Sequence, residues 1–261
     1  MNRKEKSRKP DSLQRKVKAF QRVKKPTVLI LKKAEKGILE KGRLGIIPGS
    51  FNPPTKAHLG LIKSAMSVVL ADEILVLLDL KAMDKRPFGA TWEERAAMLE
   101  ILFRENSKVS VGLSNRGFFL DKIELLKKSY PSPIELVFIV GFDTILRVMD
   151  EKYYQDRRKS LDRLFEKCKF LVASREDQEE AAFEEFVGRK ENKRYREKIS
   201  FFPLPKIYSC LSSSFVRKKI GEGKSVNRMV PASVLSYIEE KKIYHSGEKR
   251  GKKISIGADF S

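Results

Sequence analysis

The chain has 261 residues, enough for one sizeable domain with extensions, and its 41% hydrophobic content suffices for a core. The net charge of +21 suits polyanionic partners, but residues 1–43 alone carry 16 Lys and Arg against 4 Asp and Glu. No apolar run approaches the ~20 residues of a membrane helix, and the basic N-terminus lacks a secretory apolar stretch. We therefore expect a cytoplasmic chain without a membrane partner, whose excess charge lies mostly outside the folded body.

Residues 1–43 are predicted to form a basic N-terminal extension and linker. Within residues 1–27, apolar residues recur at helical spacing, at Leu13, Val17, Phe20 and Val23. A docking helix, an RNA- or anion-binding helix and a cleaved transit peptide are all open, and a solvated tail is the favoured interpretation. A weak polyanion contact through residues 1–25 is expected with it. The apolar piece from Thr27 to Leu31 receives no assignment.

An alternation of strand and helix patterns begins at Leu44. Apolar, β-branched runs predict six strands, at Leu44–Ile47, Glu73–Leu78, Lys108–Val111, Ile134–Val140, Lys169–Ala173 and Ile199–Phe202. Helical patterns between them cover Lys56–Leu70, Trp92–Glu105, Phe119–Lys128, Thr144–Met149, Leu161–Glu166 and Gln178–Val187. This order predicts an α/β domain over residues 44–245, with a doubly wound parallel sheet that binds ligands at the carboxyl ends of its strands. Residues 246–261 are expected to be a flexible basic tail.

One stretch between the first strand and the first helix of this domain predicts a phosphate site. It reads GSFNPPTKAHL, from Gly49 to Leu59. Backbone N–H groups at a helix start point toward a ligand, and the helix dipole favours negative charge there. Gly49 carries no side chain where a phosphate would approach the backbone.

These residues resemble the (His/Thr)-x-Gly-His motif of the nucleotidyltransferase superfamily, and the G-S-F-N-P opening is most similar to nicotinamide/nicotinate mononucleotide adenylyltransferases. The resemblance implies a Rossmann-like fold of the nucleotidyltransferase type. It also implies ATP contacts from Gly49, Ser50, Phe51, Thr55 and His58. Ala57 departs from the motif because the family usually has glycine there.

Two further motifs agree with this resemblance. Gly141-Phe142-Asp143-Thr144 follows the strand IELVFIVG, where the family's G-x-D contacts the nucleotide; by itself Asp143 could equally be an N-cap. Leu211-Ser212-Ser213-Ser214-Phe215-Val216-Arg217 resembles the family's I-S-S-T-x-x-R signature. Gly141, Asp143, Ser212, Ser213, Ser214 and Arg217 are therefore predicted to bind ATP. His58 and Arg217 are the predicted catalytic residues, because a hydrogen-bond donor and a forked cation neutralise charge on the phosphates.

Less specific signals predict the site for the mononucleotide that would accept the adenylyl group. The resemblance implies an aromatic face for a pyridine ring and cations for the mononucleotide phosphate. The residues assigned to it are Asn52, Lys85, Arg95, Phe118, Phe119 and Arg175. A core role for Phe118 and Phe119 is an equally open interpretation.

The predicted activity is adenylyl transfer from ATP to nicotinamide or nicotinate mononucleotide, with release of pyrophosphate and with Mg²⁺ carried by the ATP phosphates. No carboxylate cluster predicts a protein metal site. Pantetheine-phosphate adenylyltransferase is the runner-up; Asn52, the chain length and the closing VPASVLSYIEEKKIY helix argue against it. A nucleotide-binding relative with an RNA-binding arm is a third possibility. The sequence leaves open the acid or amide acceptor and the oligomeric state.

Overall fold

The computed structural model describes residues 12–80, 89–174, 179–208 and 211–245. Seven strands of these residues form one sheet in the order β1-β4-β3-β2-β5-β6-β7. Their bounds are β1 Val28–Lys32, β2 Gly42–Gly49, β3 Glu73–Asp79, β4 Val109–Ser114, β5 Ile134–Gly141, β6 Lys169–Ser174 and β7 Ile199–Pro203. Strand β1 is antiparallel to β4, and the other neighbours are parallel. The predicted doubly wound, Rossmann-like sheet is confirmed, with all six predicted strands present.

The α-helices in the described residues are α1 Ser12–Gln21, α2 Lys56–Val69, α3 Trp92–Phe103, α4 Phe119–Ser129, α5 Phe142–Val148, α6 Arg157–Lys167, α7 Glu179–Gly188, α8 Ser213–Gly221 and α9 Ala232–Glu240. None of the described helices is long and apolar enough to cross a membrane. Every helix predicted between the strands is present, and α6 begins a turn earlier than predicted because Asp156 caps it by accepting from the Lys159 N–H.

Helices cover both faces of the sheet, and strand β3 shows why. Its residues alternate between the faces: Ile74, Val76 and Leu78 join the core under α1, α2 and α3, whereas Leu75 and Leu77 join the core under α4 to α7. All seven residues of β3 are buried. A strand buried on both faces reads as a continuous apolar run, which is how the sequence predicted it.

The favoured prediction of a solvated N-terminal tail is wrong for the described part of that segment. Helix α1 packs against α3, with Leu13, Val17 and Phe20 buried in the core. Strand β1 adds an antiparallel edge to β4, with Val28 opposite Ser114. The apolar stripe therefore marked a docked helix, because three large side chains at helical spacing bury enough surface to hold a short helix on the body.

The connection between β1 and β2 is also part of the fold. Ala34 and Ile38 are buried, and their N–H groups donate to Ser110 Oγ (2.8 Å) and to Glu73 Oε2 (3.1 Å). Ser110 Oγ and Tyr130 Oη also donate to the Glu73 carboxylate, at 2.5 and 2.6 Å. The buried carboxylate thus fixes the segment that we predicted to be a polar linker. A boundary at residue 43 consequently does not separate two structural units.

The C-terminal part packs as a third apolar cluster beside the sheet. Val216, Val234 and Ile238 of α8 and α9 are buried there, together with Met98 of α3. Ala57 belongs to the same cluster and is 4% exposed. Its methyl group is therefore accommodated at the position where the family usually has glycine.

Candidate active site

A cleft of about 550 Å³ opens at the carboxyl ends of β2 and β5. The chain leaves β2 toward β3 on one side and returns to β5 on the other, so the sheet order reverses between these strands. Such a reversal point is where open α/β sheets bind ligands. The predicted site residues that line it are Gly49, Ser50, Phe51, Asn52, His58, Arg95, Gly141, Asp143, Ser212, Ser213, Ser214 and Arg217. Three loop-to-helix junctions thus converge on one cavity.

His58 stands in the first turn of α2, and its orientation is set by Thr55. The Thr55 backbone N–H donates to His58 Nδ1 at 3.0 Å, and Thr55 Oγ1 lies 2.8 Å from the same nitrogen. Because a backbone N–H can only donate, Nδ1 must accept. A neutral imidazole therefore carries its proton on Nε2, which is the donor needed for a phosphate oxygen.

Thr55 itself is fully buried and does not line the cleft. The geometry therefore does not support the predicted ATP contact for Thr55; it supports a residue that positions His58. Phe51 packs on the other side of the imidazole, with ring centroids 5.1 Å apart. Its backbone has φ 41°, a left-handed conformation that turns the loop sharply between β2 and α2.

The α8 junction supplies one cation of the cleft, Arg217. Arg217 donates from Nη1 to the Asn52 carbonyl (2.6 Å) and from Nη2 to Ser214 Oγ (3.1 Å). Ser213 Oγ donates to the Pro53 carbonyl at 2.8 Å, and Ser212 Oγ caps α8 by accepting from the Phe215 N–H. These bonds tie α8 to the β2–α2 loop, so that His58 and Arg217 are presented to one cavity.

The β5–α5 junction places Gly141 as N-cap of α5 and Asp143 in its first turn. Asp143 is therefore not the N-cap residue, which was the alternative interpretation. Its carboxylate pairs with Arg147 one turn later, and both side chains line the cleft. Asp143 is exposed to the cleft, as a ligand contact requires.

Asn52 and Arg95 line the cleft but are also built into its wall. Asn52 is 6% exposed, and its Oδ1 accepts from Tyr244 Oη (2.7 Å) and from the Ala90 N–H (3.3 Å). Arg95, which is 3% exposed, donates to the Ala90 and Ser50 carbonyls and stacks 4.2 Å over the Trp92 ring. Burial lowers the pKa of Arg95 to about 10. Asn52 and Arg95, which we predicted to contact the mononucleotide, thus hold three loops together at the rim of the cleft.

A second cavity of about 170 Å³ adjoins the cleft and shares Pro48, Gly49, Ser50, Thr144 and Arg147 with it. Phe118 and Phe119 line this cavity, together with Tyr153 and Tyr154. Phe118 is 51% exposed, which argues against a core role for it. Phe119 fits both a cavity role and a core role. It lines the cavity, and the centre of its ring lies 4.9 Å from the centre of the buried Phe138 ring.

The remaining acceptor-side predictions, Lys85 and Arg175, lie outside the described residues. Sequence reasoning also missed an ion pair in the small cavity: Lys122 Nζ lies 2.9 Å from Asp79 Oδ2. Two signals could have revealed it. Asp79 ends a strand at its carboxyl end, as Gly141-Phe142-Asp143 does, and Lys122 interrupts the apolar face of α4 beside Ile123 and Leu126.

Comparison with protein families shows which family this fold belongs to. The family model described as cytidylyltransferase-like matches residues 46–219, which include all three converging junctions. The chain belongs to the cytidylyltransferase-like family of nucleotidyltransferases. The family predicted from the motifs is therefore confirmed, and so is the enzyme class.

Two individual relatives carry names of mononucleotide adenylyltransferases. A Schizosaccharomyces pombe protein provisionally named as a nicotinamide mononucleotide adenylyltransferase is 31% identical over 191 residues, covering 70% of this chain and 72% of the relative. A Thermoanaerobacter protein provisionally named as a nicotinate-nucleotide adenylyltransferase is 26% identical and covers 80% of this chain and 97% of that protein.

Solved structures share the fold. Nicotinic acid mononucleotide adenylyltransferase of Plasmodium falciparum, complexed with NaAD, superposes with a TM-score of 0.58 at 20% identity, over 78% of this chain and 97% of that one. The same enzyme complexed with APC gives a TM-score of 0.56 at 19% identity. At this identity the likeness concerns the fold.

Proposed function

We propose that this enzyme joins a pyridine mononucleotide to the AMP moiety of ATP and releases pyrophosphate. The observation that carries the proposal is the convergence of His58, Arg217 and the α8 N-terminus on one cleft, with an aromatic-lined cavity adjoining it. The large cleft suits a triphosphate, and the small cavity suits a planar ring. Relatives named for both the amide and the acid mononucleotide support the same acceptor class.

The reaction needs no general base. An oxygen of the mononucleotide's 5′-phosphate attacks the α-phosphorus of ATP and forms a new P–O bond. The bond from the α-phosphorus to the bridging oxygen breaks, and pyrophosphate leaves with its electron pair. The difficulty lies in aligning two polyanions and stabilising charge on the transferring group, which favours fixed donors and cations over a nucleophile.

The residues of the cleft match these needs. In its Nε2–H tautomer, His58 would donate to a phosphate oxygen between the α- and β-positions. Arg217 and the N–H groups that open α8 would hold the outer phosphates. Gly49 and Ser50 would let the α-phosphate approach the backbone, and Asp143 would accept from the nucleoside.

Magnesium would enter with ATP. Among the described residues no group of three or more His, Cys, Asp or Glu side chains could hold a metal ion, so the phosphates and water would supply its ligands. The ion would supply charge neutralisation on the phosphates. We further propose a cytoplasmic location and a weak polyanion contact through the N-terminal segment, where Lys16 and Lys18 are exposed on α1 and Arg22 is exposed directly after it.

Pyrophosphate release from ATP tests the function with three acceptors: nicotinamide mononucleotide, nicotinate mononucleotide and phosphopantetheine. We expect release with one or both mononucleotides and none above background with phosphopantetheine. Turnover with phosphopantetheine alone would replace this proposal with the pantetheine-phosphate reaction.

A further inference from the structure

The small cavity contains a buried carboxylate oxygen for which no described residue supplies a donor. Asp79, at the carboxyl end of β3, is 9% exposed, and its Oδ2 accepts from Lys122 Nζ at 2.9 Å. Its other oxygen, Oδ1, is buried and accepts no hydrogen bond from the part of the chain that the structure describes. A buried acceptor without a donor is unfavourable in free energy, and a charged one is more unfavourable than a neutral one. Such an atom in a ligand cavity indicates a donor on the ligand.

Lys122 forms its contacts within the protein. Its side chain is 1% exposed, and its ammonium donates to Asp79 Oδ2 and to the Gly117 carbonyl, the latter at 3.2 Å. It also lies 5.0 Å from the centre of the Phe119 ring. Two of the three ammonium N–H groups are thus used by protein oxygens, and the ammonium lies over the Phe119 ring. The pair is electrically neutral, and among the described residues its buried atom without a hydrogen bond is the acceptor Oδ1 of Asp79.

The cavity has the size of a six-membered ring with a small substituent. Its volume of about 170 Å³ is close to the ~150 Å³ of an apolar cavity that binds benzene. Phe118, Phe119, Tyr153 and Tyr154 give it aromatic walls. A ring bound there would direct its substituent toward the Asp79–Lys122 pair or back toward the cleft.

We infer that Asp79, held by Lys122, selects the carboxamide form of the pyridine mononucleotide over the carboxylate form by accepting a hydrogen bond from the amide N–H. This inference rests on the proposed function. An amide offers the donor that Oδ1 lacks. A carboxylate offers only acceptors and brings a second negative charge beside Asp79 in a cavity of low dielectric.

The experiment compares kcat/KM for nicotinamide and nicotinate mononucleotide in the wild-type chain and in Asp79→Asn. We expect the wild type to prefer the amide by at least about tenfold, since one well-placed hydrogen bond and one avoided charge repulsion each contribute on that scale. In Asp79→Asn the preference should fall about tenfold or more, because the new amide can donate to a carboxylate and Lys122 loses its counter-charge.

Asp121→Asn is the matched control, since it makes the same change beside Lys122 on α4, at a residue that does not line the cavity. Its preference should equal that of the wild type. If Asp79→Asn fails to fold around the unpaired Lys122, the double variant Asp79→Asn with Lys122→Gln removes both charges, and its preference should fall as well.

A second readout needs no variant. Burial raises the pKa of Asp79 to about 6, and Lys122 opposes this shift. Arg147, Tyr153 and Tyr154 are the other charged or titratable groups around the cavity. Protonation of Asp79 leaves Lys122 uncompensated and adds an O–H donor, so the amide preference should be smaller at pH 5.5 than at pH 8.

Three results would overturn the inference: a wild type that prefers the acid, a preference unchanged in Asp79→Asn, or a preference independent of pH over this range. If Asp79→Asn is active with both mononucleotides and the ratio of their kcat/KM values equals that of the wild type, the inference is wrong but the proposed function stands. If the folded wild type is inactive with both mononucleotides, the proposed function is wrong, and so is the inference.

Discussion

His58 and Thr55 act as a unit at the start of α2. The N–H of Thr55 fixes which imidazole nitrogen accepts, and so leaves the other to donate into the cleft. Histidine on an apolar-faced helix is commonly a core residue, but His58 is only half-buried and faces the cavity that holds Arg217. The chemical role proposed for it follows from this orientation.

Replacing His58 with alanine should lower kcat for adenylyl transfer by about 10²–10³, because removal of one preorganised donor to a transition-state oxygen has that cost. Steady-state pyrophosphate release measures it. His245→Ala is the control, since His245 is exposed beyond the closing helix and should retain wild-type turnover. A His58→Ala enzyme within threefold of wild type would remove the imidazole from the mechanism.

Arg217 combines two tasks, because it braces the Asn52 carbonyl and presents a planar fork to the cleft. Arg217→Lys keeps the charge and loses the fork, so KM for ATP should rise and kcat should fall, each by about tenfold. Lys218→Arg on the exposed face of α8 is the control. Unchanged ATP kinetics in Arg217→Lys would mean that the side chain only braces the loop.

At the scale of elements, helix α1 is a structural part of the enzyme. Its three buried side chains lie against α3, and Gln21 Nε2 donates to Glu93 Oε1 at 3.0 Å. The segment that follows is held by Asn115, whose side chain accepts from the Thr27 N–H and donates to the Val23 and Lys25 carbonyls. Asn115 thus fastens the N-terminal segment beside the small cavity.

Because Leu13, Val17 and Phe20 are buried in the core, loss of helix α1 should destabilise the enzyme. Phe20→Ala tests the helix with a single change: Phe20 is 3% exposed, and its truncation should lower the free energy of unfolding by about 3–5 kcal/mol. Chemical denaturation gives the value. Val23→Ala, at a residue 38% exposed just beyond α1, should cost less than about 1 kcal/mol. Equal effects of the two changes would show that α1 does not stabilise the body.

At the scale of the whole molecule, the two ends of the sheet have different tasks. Glu73, at the amino end of β3, accepts hydrogen bonds from the Ile38 N–H, Ser110 Oγ and Tyr130 Oη in a buried network that holds distant segments together. The carboxyl end gathers the converging junctions and the two cavities. The C-terminal segment reaches this end through Tyr244, whose hydroxyl donates to Asn52 Oδ1 at 2.7 Å.

Tyr244→Phe should therefore loosen the active-site loop from a distance. Loss of one buried hydrogen bond should lower stability by roughly 1 kcal/mol, while kcat should fall several-fold because Asn52 also supports Arg217 through its carbonyl. Thermal unfolding and turnover are measured on the same preparation. Tyr237→Phe on α9 is the control. A loss of stability with kcat intact would limit Tyr244 to packing.

The amino-acid pattern alone predicted the six core strands, the helices between them and the three junctions that line the cleft. Continuous apolar runs such as Glu73–Leu78 admit one interpretation when helical patterns separate them, and the resemblance of the junctions to known motifs supplied their chemistry. The resemblance also predicted a pyridine-ring contact for Phe118 or Phe119, and both line the small cavity.

Which residues contact one another became visible in the folded chain. Leu13, Val17 and Phe20 could equally have faced solvent or a partner, since a stripe shows that a face is apolar and not what covers it. Thr55 was predicted to touch ATP and is buried behind His58, because loop burial depends on neighbours distant in sequence. The Asp79–Lys122 pair joins residues 43 positions apart; the local patterns mark each of the two residues as unusual but do not show that they meet.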